Sequence, residues 1–260
     1  GTANHHLTTD FGTRFSYVAE MKGVILDAFE GAVEIVDVTH EIRPQSITEA
    51  ELIVARIFET FPLGTTHVVV VDPGVGTSRR GIAGRLQSHT FVGPDNGVFG
   101  GLLNREDASV VELTRRHHFR EPVSNTFHGR DIFAPVAAAL AGGLELADVG
   151  RPIDLVQSST VGAPVRVGQR VSGRIICDDR FGNLLTNIPA KSIDGSVVGV
   201  GVGEMVVPFV DTYGHAEAGA LVALIGSGGF LEVAACQGSA AKVVSNWQGQ
   251  SIWVDIASSG

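Results

Sequence analysis

His67-Val68-Val69-Val70-Val71-Asp72-Pro73-Gly74-Val75-Gly76-Thr77-Ser78-Arg79-Arg80 decides the fold. The apolar run His67–Val71 reads as a buried strand. It ends on an acid, turns through a proline and two glycines, and returns an arginine pair. In a parallel α/β sheet, ligands bind at the carboxyl ends of strands. A carboxylate at such an end, facing a guanidinium across a Gly-rich loop, is a functional placement. The alternative is a turn closed by a structural ion pair.

Working outward, strand-like and helix-like segments alternate over about the first 150 residues. His6–Thr9, Ala32–Val38, Gly81–Leu86, His89–Val92 and Ser109–Leu113 read as strands. Tyr17–Phe29 reads as a helix behind Ser16. Ser46-Ile47-Thr48-Glu49 has the form of a capping box, with Ser46 and Glu49 serving each other's free backbone donors. The helix it opens places Ala50, Ile53, Val54, Ile57 and Phe58 on one apolar stripe. A short helix follows Asn96, and another spans Ile132–Leu140. This alternation predicts an α/β layer with a mainly parallel sheet. Beyond Gly150 the character changes. Val171–Cys177, Leu184–Asn187, Ser196–Val200, Met205–Phe209, Leu221–Ile225, Leu231–Ala234 and Ser251–Ile256 are short strand-like segments with glycines between them, suggesting a small barrel or sandwich. The expected organisation is an α/β domain over 5–155, a linker over 156–168 and a β-rich domain over 169–260. Gly1–Asn4 is left outside the expected fold.

Composition narrows the function. The 260 residues are 44% hydrophobic and 18% charged, as in globular chains. A formal charge of −9 argues against nonspecific nucleic-acid binding. Cys177 and Cys236 match no zinc spacing and no disulfide framework, which favours a reduced, cytoplasmic setting. No apolar run reaches membrane-spanning length and no signal pattern is present, so no membrane partner is expected. His40, His67, His89, His117 and His118 show no metal-binding spacing; Asp95 and Asp131 could join His128 in a mononuclear site, but nothing in the sequence requires it. No metal and no cofactor are expected. Gly74-Val75-Gly76 lacks the third glycine of a dinucleotide loop.

Further motifs carry a resemblance. Thr8-Thr9-Asp10-Phe11-Gly12, Val36-Asp37-Val38-Thr39-His40-Glu41-Ile42, Val92-Gly93-Pro94-Asp95-Asn96-Gly97, Asn125-Thr126-Phe127-His128-Gly129-Arg130-Asp131 and Asp178-Asp179-Arg180-Phe181-Gly182-Asn183 accompany the Asp72 loop. Each is weak alone. Six in one chain, over Leu7–Ile256, resemble the S-adenosylmethionine hydroxide adenosyltransferases, whose relatives include fluorinating and chlorinating enzymes. The resemblance implies an α/β amino-terminal domain and a smaller carboxyl-terminal β-barrel. It also implies a homotrimer with sites at subunit interfaces, and hydrolysis of S-adenosylmethionine to adenosine and L-methionine.

The resemblance assigns the reaction to Asp72, Arg79 and His128. Halogenating relatives lack that set, so water is the expected nucleophile. The chemistry agrees: a carboxylate can take a proton from water, a cation can stabilise the hydroxide that develops, and imidazole can orient water or relay a proton. A sulfonium expels a neutral thioether, so no general acid is needed. Arg80 competes with Arg79, but neighbouring turn residues point apart and the motif favours Arg79. Asp10 suits the two ribose hydroxyls. Phe181 offers a stacking face for adenine, and Asn183 an amide for its edge. Asp178 or Asp179 would hold the ammonium of the methionine tail. Ser227 and Glu232, in Gly226-Ser227-Gly228-Gly229-Phe230-Leu231-Glu232, are carried over as further substrate contacts. Gly228 stands where halogenating members have an arginine. A halide-dependent transferase and a noncatalytic adenosine or S-adenosylmethionine sensor are the competing readings.

Overall fold

The computed structural model describes residues 2–213 and 217–257. It divides into two units, residues 1–160 and 161–260.

Unit 1 contains β1 (Ala3–Thr9), α1 (Tyr17–Ala28), β2 (Val33–Thr39), α2 (Ile47–Ile57), β3 (Thr66–Val70), β4 (Gly81–Leu86), β5 (His89–Pro94), α3 (Gly100–Leu103), β6 (Ser109–Leu113), α4 (Ala134–Ala141), α5 (Leu146–Val149) and β7 (Gly150–Pro152). One seven-stranded sheet runs β2-β1-β3-β5-β4-β6-β7. The first four strands are parallel, and β4, β6 and β7 extend the sheet antiparallel. Alternation along β3 explains the layers. Val68 and Val70 face a core that includes Met21 and Ile25 of α1 and Val136 of α4. Val69 and the following Val71 face the opposite core, with Ala50 and Val54 of α2. A strand buried on both faces reads as a continuous apolar run, which is why His67–Val71 shows no polar alternation.

β1 begins at Ala3, so two of the residues set aside from the sequence belong to it; Ala3 and Asn4 pair with Val33 and Glu34. The capping box at Ser46 does not form. Ser46 makes no side-chain cap bond, and the Glu49 carboxylate instead accepts from the Arg43 backbone at 3.3 Å and the Arg43 guanidinium at 3.2 Å. A charged donor nearby outcompetes the backbone donor that Glu49 would otherwise serve. A capping box does form at α5, built from two acids, Glu145 and Asp148.

Unit 2 contains β8 (Val165–Val167), β9 (Arg170–Asp178), β10 (Leu184–Pro189), β11 (Val197–Val202), β12 (Met205–Val207), β13 (Leu221–Ile225), β14 (Phe230–Ala235), α6 (Ala240–Val243) and β15 (Ser251–Ile256). Its strands run β12-β11-β15-β9-β10-β14-β13, with β8 paired to β9. The strand pairs are antiparallel. The chain leaving β12 returns beside β13, where Ala223 N donates to Pro208 O at 2.8 Å and Val210 N to Ala223 O at 2.9 Å. That contact nearly closes the sheet into a barrel around Ile175, Leu184, Val200, Leu231 and Val254. β8 lies within the stretch read from sequence as linker. Among the described residues, no helix is long and apolar enough to cross a membrane.

Candidate active site

Parallel pairing sets the site's position. Thr9 of β1 pairs with Val70 of β3, so Asp10 and Asp72 leave neighbouring strands at their carboxyl ends. Two turns then fold the chain back. Val75 N donates to Asp72 O at 3.2 Å, Thr77 N to Gly74 O at 3.2 Å, and Arg79 N to the Thr77 hydroxyl at 3.3 Å. Asn96 steadies the strand end from behind, its amide donating to Val71 O at 2.8 Å.

The returning Arg79 meets Asp72 in a two-point pair: Nε to Oδ1 at 3.0 Å and Nη2 to Oδ2 at 2.6 Å. The same Nη2 lies 2.9 Å from His128 Nδ1. Nη1 donates to Arg80 O at 3.1 Å, and the guanidinium lies 5.4 Å from the centroid of the Phe133 ring. The pair is well shielded, with the Arg79 and Asp72 side chains 8% and 5% exposed. Arg80 turns away to pair with Asp95 at 2.5 Å, so the two arginines diverge as adjacent turn residues should.

Guanidinium only donates, so Nδ1 of His128 must carry the lone pair. The ring is then neutral, with its proton on Nε2. Electrostatics agree: burial, helped by the Arg79 charge, pushes His128 below the ordinary histidine range despite Asp72 and Asp131. Asp72 is pushed up. Burial is the larger influence there, and it outweighs the pull of Arg79 and His128.

Asp72, His128 and Asp10 face one cleft of about 220 Å³, with Phe11, Gln45 and Phe127 among its walls. Arg79 stands behind it, joining Asp72 to His128. Asp10 Oδ2 accepts from Gln45 N at 2.7 Å. Phe11, Tyr17 and Phe127 form an edge-on trio of rings, with centroids 5.4 to 5.8 Å apart. Aromatic spacing in the sequence gives no hint of this wall, where Tyr17 only opens a helix.

The candidates in unit 2 form two groups. Asp178, Asp179, Phe181 and Asn183 lie at the β9–β10 turn. Asp179 is occupied within it: Oδ1 accepts from Phe181 N at 2.8 Å and Asn183 N at 3.0 Å, and Oδ2 from the Asn183 amide at 2.9 Å. Phe181 projects from the turn, 75% exposed. Ser227 lies on the β13–β14 turn. Glu232 is buried in β14, where the Tyr213 hydroxyl donates to it at 3.3 Å. Leu184 pairs with Val233 and Pro189 with Phe230, so the two turns sit at opposite ends of the β10–β14 pair. The structure therefore groups Phe181 with Asn183 but not with Ser227. The neighbour that sequence reasoning missed is the segment after β14, where Ala241 N donates to Gly182 O at 2.9 Å and Ser239 lies against Gly182. Gln237, in a left-handed conformation at φ 51°, turns the chain there. Among the described residues, no group of three or more His, Cys, Asp or Glu could hold a metal ion.

An α/β unit with a shielded carboxylate–guanidinium–imidazole cluster at its strand ends, followed by an antiparallel barrel, defines a two-domain class with a reaction-type polar site. The chain belongs to the SAM (S-adenosylmethionine) hydroxide adenosyltransferase family: the family's N-terminal domain matches residues 6–150 and its C-terminal domain residues 173–253. Proteins named (R)-S-adenosyl-L-methionine hydrolase from Thermus thermophilus and Methanocaldococcus jannaschii are 34% and 31% identical to it. Those matches cover 95% and 92% of this chain, and 97% and 90% of the relatives. A fluorinase from Actinopolyspora mzabensis is 25% identical over 95% of both chains. The crystal structure of an uncharacterized conserved protein from Thermotoga maritima superposes with a TM-score of 0.87 at 37% identity, covering 97% of this chain and 99% of that one.

Proposed function

We propose that this chain is an enzyme that hydrolyses S-adenosylmethionine to adenosine and L-methionine, with water attacking the 5′ carbon. The observation that carries the reading is the Asp72–Arg79–His128 cluster facing a cleft beside Asp10 in a member of this family. Oxygen of water bonds to the 5′ carbon as the carbon–sulfur bond breaks. The bonding pair leaves on sulfur, which becomes the neutral thioether of methionine. The proton of the attacking water passes to Asp72 and then to solvent. Burial raises the proton affinity of Asp72, which suits a base better than an ordinary exposed carboxylate. His128, neutral, offers Nε2–H to the water oxygen and holds it in line. The two carboxylates, Asp10 and Asp72, favour a cationic sulfonium in the cleft over a neutral product.

Asp10 serves the ribose with the oxygen not held by Gln45. Phe181 and Asn183 serve adenine, and Asp178 or Asp179 serves the ammonium. Ser227 and Glu232 complete the substrate contacts. The reaction so written uses no metal or cofactor. Pockets for drug-sized ligands measure roughly 300–1,000 Å³, and this cleft measures about 220 Å³. A neighbouring subunit would supply a further wall; the assembly we propose is a homotrimer with each site at a subunit interface, and the compartment the cytoplasm. Sedimentation showing a fully active monomer would contradict the trimer.

The test is incubation with the (R) sulfonium epimer, the form in the hydrolase relatives' name, in oxygen-18 water. Adenosine labelled at the 5′ hydroxyl, in equal amount to methionine and independent of chloride, is the expected result. Unlabelled adenosine, a 5′-chloro product or intact substrate after prolonged incubation would overturn the reading; the last is the outcome for a sensor.

A further inference from the structure

We propose that Asp131 is a positioning residue for the reaction: it closes the segment 120–131 on itself and so holds His128 against Arg79 and Asp72. This rests on the reading that Asp72 and His128 carry out the hydrolysis.

Asp131 is an acid with no solvent exposure, 0%. It lies one turn after His128, in the π-helical stretch Gly129–Phe133. Such widened turns often mark functional sites. Its carboxylate gathers donors from three residues of the segment. Oδ2 accepts from Ser124 N at 2.8 Å and Arg130 Nη2 at 3.1 Å; Oδ1 accepts from Arg130 Nε at 2.8 Å and Arg120 Nη1 at 3.3 Å. The main chain repeats the closure. Asp131 N donates to Phe127 O at 3.2 Å, and Asp131 O accepts from Arg120 N at 2.8 Å.

Everything the segment gives to the cleft hangs between those anchors. The Ser124 hydroxyl accepts from Thr126 N at 3.2 Å, and Thr126, Phe127 and His128 all line the cleft. Arg130, held by Asp131, also donates to Glu20 of α1 at 2.8 Å and lies 5.1 Å from the centroid of the Phe127 ring. One buried carboxylate therefore sets the backbone before His128, the ring beside it and the turn after it. Asp131 itself does not line the cleft.

The charge matters as well as the bonds. Burial would raise Asp131, but Arg130, the Ser124 N–H and Arg120 outweigh it and keep the group ionised. The charged groups that act on His128 are Arg79 and Asp72 from the β3–β4 loop and Asp131 from its own turn. Asp10 in turn acts on Asp72. Asp131 favours protonated His128 and Arg79 opposes it. Replacing the carboxylate by an amide keeps one acceptor, which can still serve Ser124 N, but removes the charge and turns the other oxygen into a donor facing Arg130 and Arg120.

The experiment compares Asp131→Asn and Arg120→Gln with the wild-type chain. One readout is the titration midpoint of His128 by NMR on histidine-labelled protein, assigned with His128→Gln. The other is kcat and KM for adenosine release. Asp131→Asn is expected to lower the midpoint and to cut kcat by roughly tenfold to hundredfold, the scale of a small misplacement of reacting groups, with little change in KM. Arg120→Gln leaves the Asp131 charge less compensated and so is expected to raise the midpoint through Asp131, by less because Arg120 is half-exposed. A purely structural role would not move the midpoints in opposite directions. Equal midpoints in all three proteins, or shifts of the same sign, would overturn the proposal. Should Asp131→Asn fail to fold, an unraised midpoint in Arg120→Gln overturns it alone. If the wild-type chain releases no adenosine, the hydrolase reading fails instead, and the midpoints still report whether Asp131 governs His128.

Discussion

At the residue scale, Arg79 does what no other cation could do in its place. Three of its nitrogens are used, and Nη2 is shared between Asp72 and His128. Lysine is a compact point charge and cannot reproduce that planar fork. Arg79→Lys should therefore keep the positive charge and lose the alignment. A hydrogen bond to a charged group is worth about 1.5–3 kcal/mol, so kcat should fall roughly tenfold to hundredfold. The pH profile should move too. Asp72 already lies above its ordinary value through burial, and Arg79 is the main influence holding it down. A weaker partner lets the carboxyl rise further, so less base is ionised at a given pH and the acid limb of kcat/KM shifts to higher pH. Steady-state kinetics over a pH series would decide this; an unmoved acid limb would show that Asp72 does not depend on Arg79.

At the scale of elements, the site is where two loops meet. The β3–β4 loop carries Asp72 and Arg79, and the segment before α4 carries His128. They touch backbone to backbone at Gly76, which has φ +75°, and a Cβ there would collide with Asn125 O. Gly76→Ala carries two penalties: about 1–2 kcal/mol for a left-handed alanine, and the displacement of Asn125. The expected outcome is a folded protein with a modest loss of stability and a much larger loss of kcat, because the His128 segment is pushed off Arg79. Equal stability and activity in Gly76→Ala would show that the loops move independently. The meeting of these loops was legible in the sequence only through the resemblance, since His128 and Arg79 are 49 residues apart. The elements themselves were legible because apolar runs and periodicity are local. Val68 to Val71 announced a doubly buried strand, and Leu221–Ile225 and Ser251–Ile256 announced strands of the barrel. What competed for a side chain was not legible. Ser46 and Glu49 had the spacing of a cap, but Arg43 took the carboxylate. In the sequence Asp131 stands out only as an acid that could join His128 at a metal, because nothing local says that Arg120, Ser124 and Arg130 converge on it. Nothing local says that the Asp179 carboxylate accepts from Phe181 and Asn183 of its own turn.

At the scale of the whole molecule, the same sheet that positions the site carries an acid-sensitive core. His5 and His6 on β1, His67 on β3 and His89 at the start of β5 are all buried. His67 Nε2 lies 3.2 Å from His89 Nδ1, and the His67 ring stacks on Phe91 with centroids 5.0 Å apart. Four imidazoles this close cannot all be charged in a shielded core. Burial, with repulsion from His89 and His5, lowers His6 to about 4. Burial, with repulsion from His6 and His89, lowers His67 to about 3. In the unfolded chain each titrates at about 6.5. A histidine whose folded value is depressed binds its proton more readily when unfolded. Its contribution to stability is complete above pH 6.5 and is lost as the pH falls toward the folded value. Each such group removes about 1.4 kcal/mol per pH unit within that window, so His6 and His67 together should cost a few kcal/mol by about pH 5. Asp37 and Asp131 are held below the ordinary carboxylate range by their cationic partners, so their contributions fade only at lower pH. Between pH 6.5 and 4.5 the histidines therefore dominate the slope. Urea unfolding at pH 7.5 and pH 5 should show the midpoint falling on acidification. His67→Phe keeps a flat ring to stack on Phe91 and removes a titrating group, so it should flatten that fall while leaving kcat at pH 7.5 unchanged, because the cluster lies at the amino ends of β3 and β5, away from Asp72. A slope as steep in His67→Phe as in the wild-type chain would place the acid sensitivity elsewhere.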